Sequence, residues 1–351
     1  MTLIETDTNP IPEGVTSGFV ETTDGYSIRY ARWPARGTGA RGTVCLMQGR
    51  AEFIEKYFET VESFRDRGYA VITFDWRGQG GSQRILKNPR KGYVDDISDY
   101  HRDLDAVMQN VILPDCPPPL YAVAHSTGGL ALLTVLRKRP NWFERVILSA
   151  PLLQVYSRPF RPWISTPLRF LNPLVAPFRA LAKAVTSPAT MARVAAFLTY
   201  FGFGEFYVPG GSGRGMEEGA FDGRILTSDT ERLQRMIDVL RKDRSLGLGS
   251  PTIAWLYAVL RAMRLPPDPD FHIPIHVPIL MIGAGRDRVV SARAIERLAV
   301  VMRSASYVEI PGSAHEIMME RDLYREQFFA LFDAFVTNAE TGFDEGKTIG
   351  F

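Results

Sequence analysis

The residues with the clearest chemical meaning form a short segment, residues 120–129, in which an apolar run leads directly into His-Ser-Thr-Gly-Gly. Small residues at positions 124, 128 and 129 flank Ser126. This spacing lets a serine stand on a sharp turn between a strand and a helix, with its hydroxyl exposed and the next backbone amide directed at the same centre. The spacing therefore predicts Ser126 as a nucleophile; the alternative is a serine that only caps a helix.

A nucleophilic serine needs a histidine base, and the second ring nitrogen of that base needs a carboxylate. His315 follows a short strand that breaks at Pro311 and Gly312, and Asp287 lies in a glycine-rich turn after an apolar strand. Both residues are on loops at strand ends, where catalytic groups are common. We predict Ser126, Asp287 and His315 as a catalytic triad. The remaining histidines are interpreted as structural: His101, His125, His272 and His276.

Acyl transfer also needs two backbone amides that bind the developing oxyanion. An apolar strand over residues 43–48 ends at Gly49, and the amide of the following residue can turn inward. We predict the amides of Arg50 and Thr127 as the oxyanion hole, where loss of one donor typically costs about 3–4 kcal/mol of transition-state stabilisation. Asp75, at the end of its own strand, is the next candidate acid after Asp287.

The segments around these residues resemble the lysophospholipase L2 and monoacylglycerol lipase group of serine hydrolases, over roughly residues 17–338. The chain order Ser, Asp, His is that of α/β-hydrolases. The resemblance implies an α/β-hydrolase fold, a mostly parallel sheet flanked by helices with an inserted, mainly helical cap. Gln48 and Ala124 depart from the group, which often has His or Pro and Gly there, but neither removes a backbone donor. The similar segments are residues 48–57, 75–82, 124–129, 226–232, 248–255, 283–290 and 312–317.

The hydrophobic pattern predicts strands that alternate with helices, which is typical of a parallel sheet covered on both faces. A hairpin is expected around Asp24-Gly25. After residue 151 the pattern changes to short helical pieces rich in proline and aromatic residues. The predicted strands are 43–48, 69–74, 120–124 and 145–149, and the predicted helices are about 55–67, 96–112 and 127–138. The predicted units are a core of residues 1–151 and 271–338, a cap of residues 152–270 and a flexible tail of residues 339–351.

Composition excludes several classes of protein. With 351 residues, 45% of them hydrophobic, the chain can bury a large core, and a net charge of +2 speaks against a dedicated nucleic-acid partner. Cys45 and Cys116 lie in unrelated settings, which predicts reduced thiols. We expect no cofactor and no metal ion. The first residues lack a secretory pattern and no stretch reaches the ~20 apolar residues of a membrane span. The interpretation is a cytoplasmic enzyme.

The first half of the predicted cap has an unusual composition. Residues 151–204 contain no Asp or Glu, and aromatic residues alternate with basic ones. A basic, aromatic surface is typical of helices that bind anionic membranes, so peripheral membrane contact is a hypothesis. The alternative is a solvated cationic face over a packed cap. The basic residues are Arg158, Arg161, Arg169, Arg179, Lys183 and Arg193, and the aromatic residues interleaved with them include Phe160, Trp163, Phe170, Phe178, Phe197, Tyr200, Phe201 and Phe203.

An apolar cap over Ser126 suits an acyl chain better than a peptide. The sequence therefore predicts a serine hydrolase that cleaves the carboxylic ester of a monoacyl lipid, a lysophospholipid or a monoacylglycerol, through an acyl-enzyme. Three alternatives stay open: an esterase or lactonase of small substrates, a serine aminopeptidase, and a ligand-binding module without catalysis. Dehalogenases and epoxide hydrolases of this fold need a carboxylate nucleophile, which Ser126 is not.

Overall fold

The computed structural model describes residues 3–139, 141–156, 187–220, 222–263 and 275–341. A single sheet of eight strands has the order β1-β2-β4-β3-β5-β6-β7-β8. β2 pairs antiparallel with β1 and β4, and every later pair is parallel. The strands are β1 (Thr16–Glu21), β2 (Ser27–Trp33), β3 (Thr43–Met47), β4 (Ala70–Phe74), β5 (Leu120–His125), β6 (Arg145–Ser149), β7 (Ile279–Ala284) and β8 (Ala305–Ile310).

The central strands are apolar along their whole length because both faces of the sheet are covered. In β3, Val44 and Leu46 face one hydrophobic cluster, and Cys45 and Met47 face the other. This explains why the sequence shows continuous apolar runs here in place of alternation. The prediction of a mostly parallel sheet flanked by helices is confirmed.

Eight helices of four residues or more with α-helical geometry are described, and most pack on one of the two faces. α1 and α8 bury Phe64 and Phe332 against one face, and α2, α3 and α7 bury Leu104, Leu130 and Ile295 against the other. The helices are α1 (Phe58–Asp66), α2 (Ser98–Val107), α3 (Ser126–Leu136), α4 (Pro188–Leu198), α5 (Thr230–Lys242), α6 (Ile253–Ala262), α7 (Ala292–Val301) and α8 (Asp322–Thr341).

The element bounds differ from the predicted ones by a few residues. The predicted helix over residues 55–67 is one 3₁₀ turn, Ile54–Tyr57, followed by α1. The predicted helix over residues 96–112 is α2, continued by a wider turn, Met108–Ile112. Cys45 and Cys116 are both buried and unpaired.

Between β6 and β7 the described residues form α4, α5, α6 and short helical turns, and no strand of the sheet. All three α-helices begin at side-chain caps: Ser187 accepts a hydrogen bond from the amide of Thr190. Asp229 accepts from the amides of Glu231 and Arg232, and Thr252 accepts from the amide of Trp255. The exact limits of the cap stay a prediction. No helix in the described ranges is both long and apolar enough to cross a bilayer.

Because β3, β5, β7 and β8 run parallel, their carboxyl ends lie along one edge of the sheet. The loops that follow them carry Arg50, Ser126, Asp287 and His315. Ligands of open α/β sheets bind at this edge. The topology therefore brings the predicted site residues together from four distant parts of the chain.

Candidate active site

Ser126 occupies the turn between β5 and α3 in a left-handed conformation, with φ at 50°. A serine adopts this conformation only when the surroundings impose it. A Cβ at Gly128 would lie 2.4 Å from the Gln48 carbonyl oxygen, and one at Gly129 would lie 2.9 Å from Pro151 Cβ. Both positions therefore require glycine, because the start of α3 packs directly against the loops after β3 and β6. The tight turn follows from these close approaches.

His315 and Asp287 lie next to Ser126. His315 Nε2 is 3.0 Å from Ser126 Oγ, and His315 Nδ1 is 2.7 Å from Asp287 Oδ2. A carboxylate can only accept a hydrogen bond, so Nδ1 carries the ring proton and Nε2 is free to accept the serine hydroxyl. All three side chains are buried. The arrangement can transfer a proton from serine to histidine and stabilise the resulting imidazolium.

The loop of Asp287 is held by the same carboxylate that faces His315. Asp287 Oδ1 accepts hydrogen bonds from the amides of Val289 and Val290, at 2.7 and 2.9 Å. One oxygen therefore fixes the carboxylate and the other orients the imidazole. The helix α7 begins further along, after Ser291. A role as a helix cap alone would not account for the contact of Asp287 with His315.

Side chains from neighbouring loops bind the backbone on both sides of the Arg50 amide. Trp76 Nε1 donates to the Gln48 carbonyl at 2.8 Å, and Glu52 accepts from the Gly49 amide. Gln79 donates to the Gly49 carbonyl at 2.8 Å and accepts from the Ala51 amide at 3.1 Å. Within the described chain, no acceptor lies at the Arg50 amide. The Arg50 amide therefore has a fixed position and can donate a hydrogen bond to a substrate.

Thr127 lies in the first turn of α3, where backbone amides have no partner within the helix. Its amide and that of Arg50 come from the loops after β5 and β3, which are adjacent parallel strands. The two predicted oxyanion donors are therefore available, and their catalytic role stays a prediction.

Gln79 and Glu52 are positioning residues that the sequence analysis missed. Gln79 forms hydrogen bonds with the peptide groups on both sides of Arg50. Glu52 also accepts hydrogen bonds from Lys56 and Tyr57, at 2.8 and 2.7 Å. Gln79 lies in the segment 75–82 that carries part of the resemblance, but its side chain meets the Arg50 loop only after the strands pair.

His125 precedes Ser126 but turns away from it. Its Nδ1 lies 3.1 Å from the Ser149 carbonyl oxygen, and its ring packs on His315 with 4.8 Å between the centroids. Burial lowers the pKa of His125 to about 4, so the ring is neutral at physiological pH. His125 therefore packs against His315 as a neutral ring and adds no positive charge beside it.

The other candidate groups lie in different settings. His101 Nε2 is 2.7 Å from Thr134 Oγ1, on the interface of α2 and α3, and His276 is exposed. His272 lies outside the described residues. Asp75, the second candidate acid, is buried and binds Arg29 Nε at 2.7 Å, together with the amides of Ile54 and Gly81. Both oxygens of the Asp75 carboxylate therefore already have hydrogen-bond donors.

A buried cluster of metal-ligating types lies beside His315. Ligand atoms of Glu52, His125 and Glu316 fall within 4.8 Å of one another. Lys56 Nζ, however, is 2.8 Å from Glu52 and 2.6 Å from Glu316. Burial opposes the charge of Lys56, yet the two carboxylates outweigh it and raise the pKa of the ammonium group. The lysine therefore stands where a cation would bind, and the expectation of no metal stays a prediction.

A buried Ser-His-Asp chain at the carboxyl edge of a mostly parallel sheet, with helices on both faces, defines an α/β-hydrolase. The chain belongs to the Hydrolase_4 family, described as serine aminopeptidase, S33, whose model matches residues 38–322. Its fold and family are therefore those that the resemblance implied.

Similar proteins include two bacterial enzymes and one solved yeast structure. The probable lysophospholipase L2 of Haemophilus influenzae is 27% identical over 290 residues, which cover 82% of this chain and 81% of the relative. The lysophospholipase L2 of Escherichia coli K12 is 26% identical over 311 residues, covering 86% and 82%. A soluble variant of monoglyceride lipase from Saccharomyces cerevisiae shares the fold with a TM-score of 0.66 at 19% identity, over 92% of this chain and 97% of that structure.

Proposed function

We propose that this chain is a serine hydrolase that cleaves the carboxylic ester of a monoacyl lipid, a lysophospholipid or a monoacylglycerol. The observation that carries the proposal is the hydrogen-bonded chain Ser126–His315–Asp287 at the end of β5. The relatives named lysophospholipase L2, which this chain matches over more than four fifths of its length, support the substrate class.

The proposed reaction has two steps. His315 Nε2 takes the proton of the Ser126 hydroxyl as its oxygen attacks the ester carbonyl, and Asp287 stabilises the imidazolium. The amides of Arg50 and Thr127 bind the oxyanion. The imidazolium then protonates the leaving alcohol, which gives an acyl-enzyme. Water, activated by the same histidine, attacks the acyl-enzyme and releases the fatty acid and Ser126.

The family description raises an aminopeptidase as the second candidate. Such an enzyme needs a carboxylate free to bind the amino group of a peptide. Glu52 and Glu316, the buried carboxylates beside the two imidazoles, are both paired with Lys56. These two groups are therefore not free for a substrate amine, which favours the ester substrate.

A substrate panel tests the proposed function. We expect kcat/KM to rise with acyl length along monoacylglycerols, lysophospholipids and p-nitrophenyl esters, because each buried methylene contributes about 0.8 kcal/mol. Amino-acid p-nitroanilides should be poor substrates. Activity greatest on the nitroanilides would establish an aminopeptidase, and activity greatest on acetyl esters would establish an esterase of small substrates.

We also propose that the cap contacts anionic lipid surfaces. Of the basic residues noted above, Arg193 is described and the other five lie outside the described residues. The described part carries a group of exposed aromatic rings in and after α4. Isolated exposed apolar side chains are common, but a contiguous group of rings is typical of an interaction surface. The rings and their exposed fractions are Phe197 61%, Tyr200 86%, Phe201 58%, Phe203 48% and Phe206 58%.

Replacing Phe197, Tyr200 and Phe201 with serine is expected to lower partitioning onto anionic vesicles by at least about tenfold, since even partial burial of three rings contributes more than about 1.5 kcal/mol. Sedimentation with vesicles measures this. The matched control is Phe19→Ser, an exposed phenylalanine on β1. Charge reversal to Glu at Arg158, Arg161, Arg169 and Lys183 should weaken binding in a salt-dependent way. Unchanged partitioning in both variants would mean that the cap does not contact lipid.

A further inference from the structure

The side chain of Arg50 extends from the loop after β3 to the segment before α6. Its Nη2 donates to the Gly249 carbonyl at 2.7 Å, and its guanidinium carbon lies 5.1 Å from the centre of the Trp255 ring. Its Nε is hidden from solvent and has no hydrogen-bond partner. The residue whose amide is the proposed oxyanion donor therefore also carries a cation, which lies where the loop after β3 meets the segment before α6.

This cation has no counter-ion in the described part of the chain. Its one hydrogen-bond acceptor there is the neutral carbonyl of Gly249, and no carboxylate lies within ion-pair distance. Burial lowers the pKa of Arg50 to about 10, so the group is still charged at neutral pH. A partly buried cation without a counter-ion is costly, because it loses solvation and gains no ion pair. An anionic group that entered from solvent would remove this cost.

A hydroxyl group without a hydrogen-bond partner and a second cation lie near Arg50. The hydroxyl oxygen of Tyr207 is hidden from solvent and has no hydrogen-bond partner. Lys91 Nζ lies over the rings of Phe206 and Tyr207, 5.6 Å from the centre of each. Lys91 is followed by Gly92, where an added Cβ would lie 3.3 Å from Arg50 Nη2. The region between the oxyanion loop and the cap therefore contains two cations and a hydroxyl donor, with Tyr207 in contact with Lys91 and Gly92 next to Arg50.

We propose that Arg50, Lys91 and Tyr207 form a subsite that binds the phosphodiester of a lysophospholipid while its ester lies at Ser126. The proposal rests on the proposed function and selects one of its two substrates. In a lysophospholipid, a glycerol backbone separates the ester from the phosphodiester, and the side chain of Arg50 likewise separates its amide from its guanidinium. Guanidinium is the side-chain group best suited to phosphate, because its donors match two phosphate oxygens. A monoacylglycerol has no anion and leaves the subsite unfilled.

The test compares kcat/KM for a lysophosphatidylcholine and a monoacylglycerol with the same short acyl chain, both below their micelle concentrations. In Arg50→Met the ratio of the two values is expected to fall roughly 10- to 100-fold, the loss typical of an unmade polar contact in a binding site. Tyr207→Phe should lower the ratio severalfold, and Arg50→Lys should lower it less than Arg50→Met. The control is Arg244→Met, a cap arginine whose side chain is 66% exposed, which should keep the wild-type ratio.

A second measurement is binding of glycerophosphocholine by calorimetry. Wild-type protein should bind it, and Arg50→Met should lose this binding. An unchanged ratio with equal losses on both lipids would show that Arg50 only joins the loop to the cap, and would overturn the proposal. Wild-type protein that hydrolyses neither lipid would contradict the proposed function instead. In that case the binding of glycerophosphocholine still tests the subsite. Equal binding to wild-type and Arg50→Met protein would overturn the proposal. If Arg50→Met does not fold, Arg50→Lys and Tyr207→Phe carry both measurements.

Discussion

Replacing Ser126 with alanine is expected to remove ester hydrolysis, with kcat reduced about 10⁶-fold, because no other group can form the acyl-enzyme. The fold should be retained, since the only hydrogen bond of Ser126 Oγ to the described residues is the one to His315. A fluorophosphonate probe should label wild-type protein on one serine and leave the variant unlabelled. Mass spectrometry of the labelled peptide and an ester assay measure both effects.

The matched control is Ser149→Ala. Ser149 is fully buried near the same strand ends, at the end of β6, and its hydroxyl has no hydrogen-bond partner. This variant should label and hydrolyse like the wild type. Labelling that persists in Ser126→Ala, or hydrolysis that survives there, would contradict the nucleophile. Equal loss in both variants would indicate a general disturbance of the sheet edge.

Asp287→Asn is expected to lower kcat about 10⁴-fold while the protein stays folded. The asparagine carbonyl can still accept from the amides of Val289 and Val290, so the loop keeps its anchor. Its amide group, however, donates toward His315 Nδ1. The imidazole then carries its proton on Nε2 and can no longer accept the hydrogen of the Ser126 hydroxyl. Initial rates and thermal unfolding of the same preparations separate the two effects.

Asp75→Asn gives the comparison for Asp287. Asp75 binds Arg29 and two backbone amides, so its replacement breaks a buried ion pair and should mainly lower the unfolding temperature. Suppose that kcat stays near the wild-type value in Asp287→Asn and is largely lost in a stably folded Asp75→Asn protein. The carboxylate that orients His315 would then be assigned to Asp75 in place of Asp287.

The sequence by itself determined the parts of the site that depend on neighbouring residues. The elbow at Ser126 is local: a strand, a turn and two glycines within a few positions give the tight geometry. His315 and Asp287 could be placed because each follows a short strand and lies in or just after a turn that contains glycine. The alternation of strands and helices predicted the parallel sheet, whose carboxyl edge is a known binding edge.

Only the tertiary structure decided the contacts between these strand ends. Gln79 clamps the loop of Arg50, Lys56 pairs with Glu316, and Arg50 reaches Gly249, 199 residues further along the chain. Local hydrophobic periodicity predicts that a strand exists, but it does not indicate which strand lies next to it. The strand order and the helices between β6 and β7 therefore settle which side chains stay paired and which, like that of Arg50, are left without a counter-ion in the described chain.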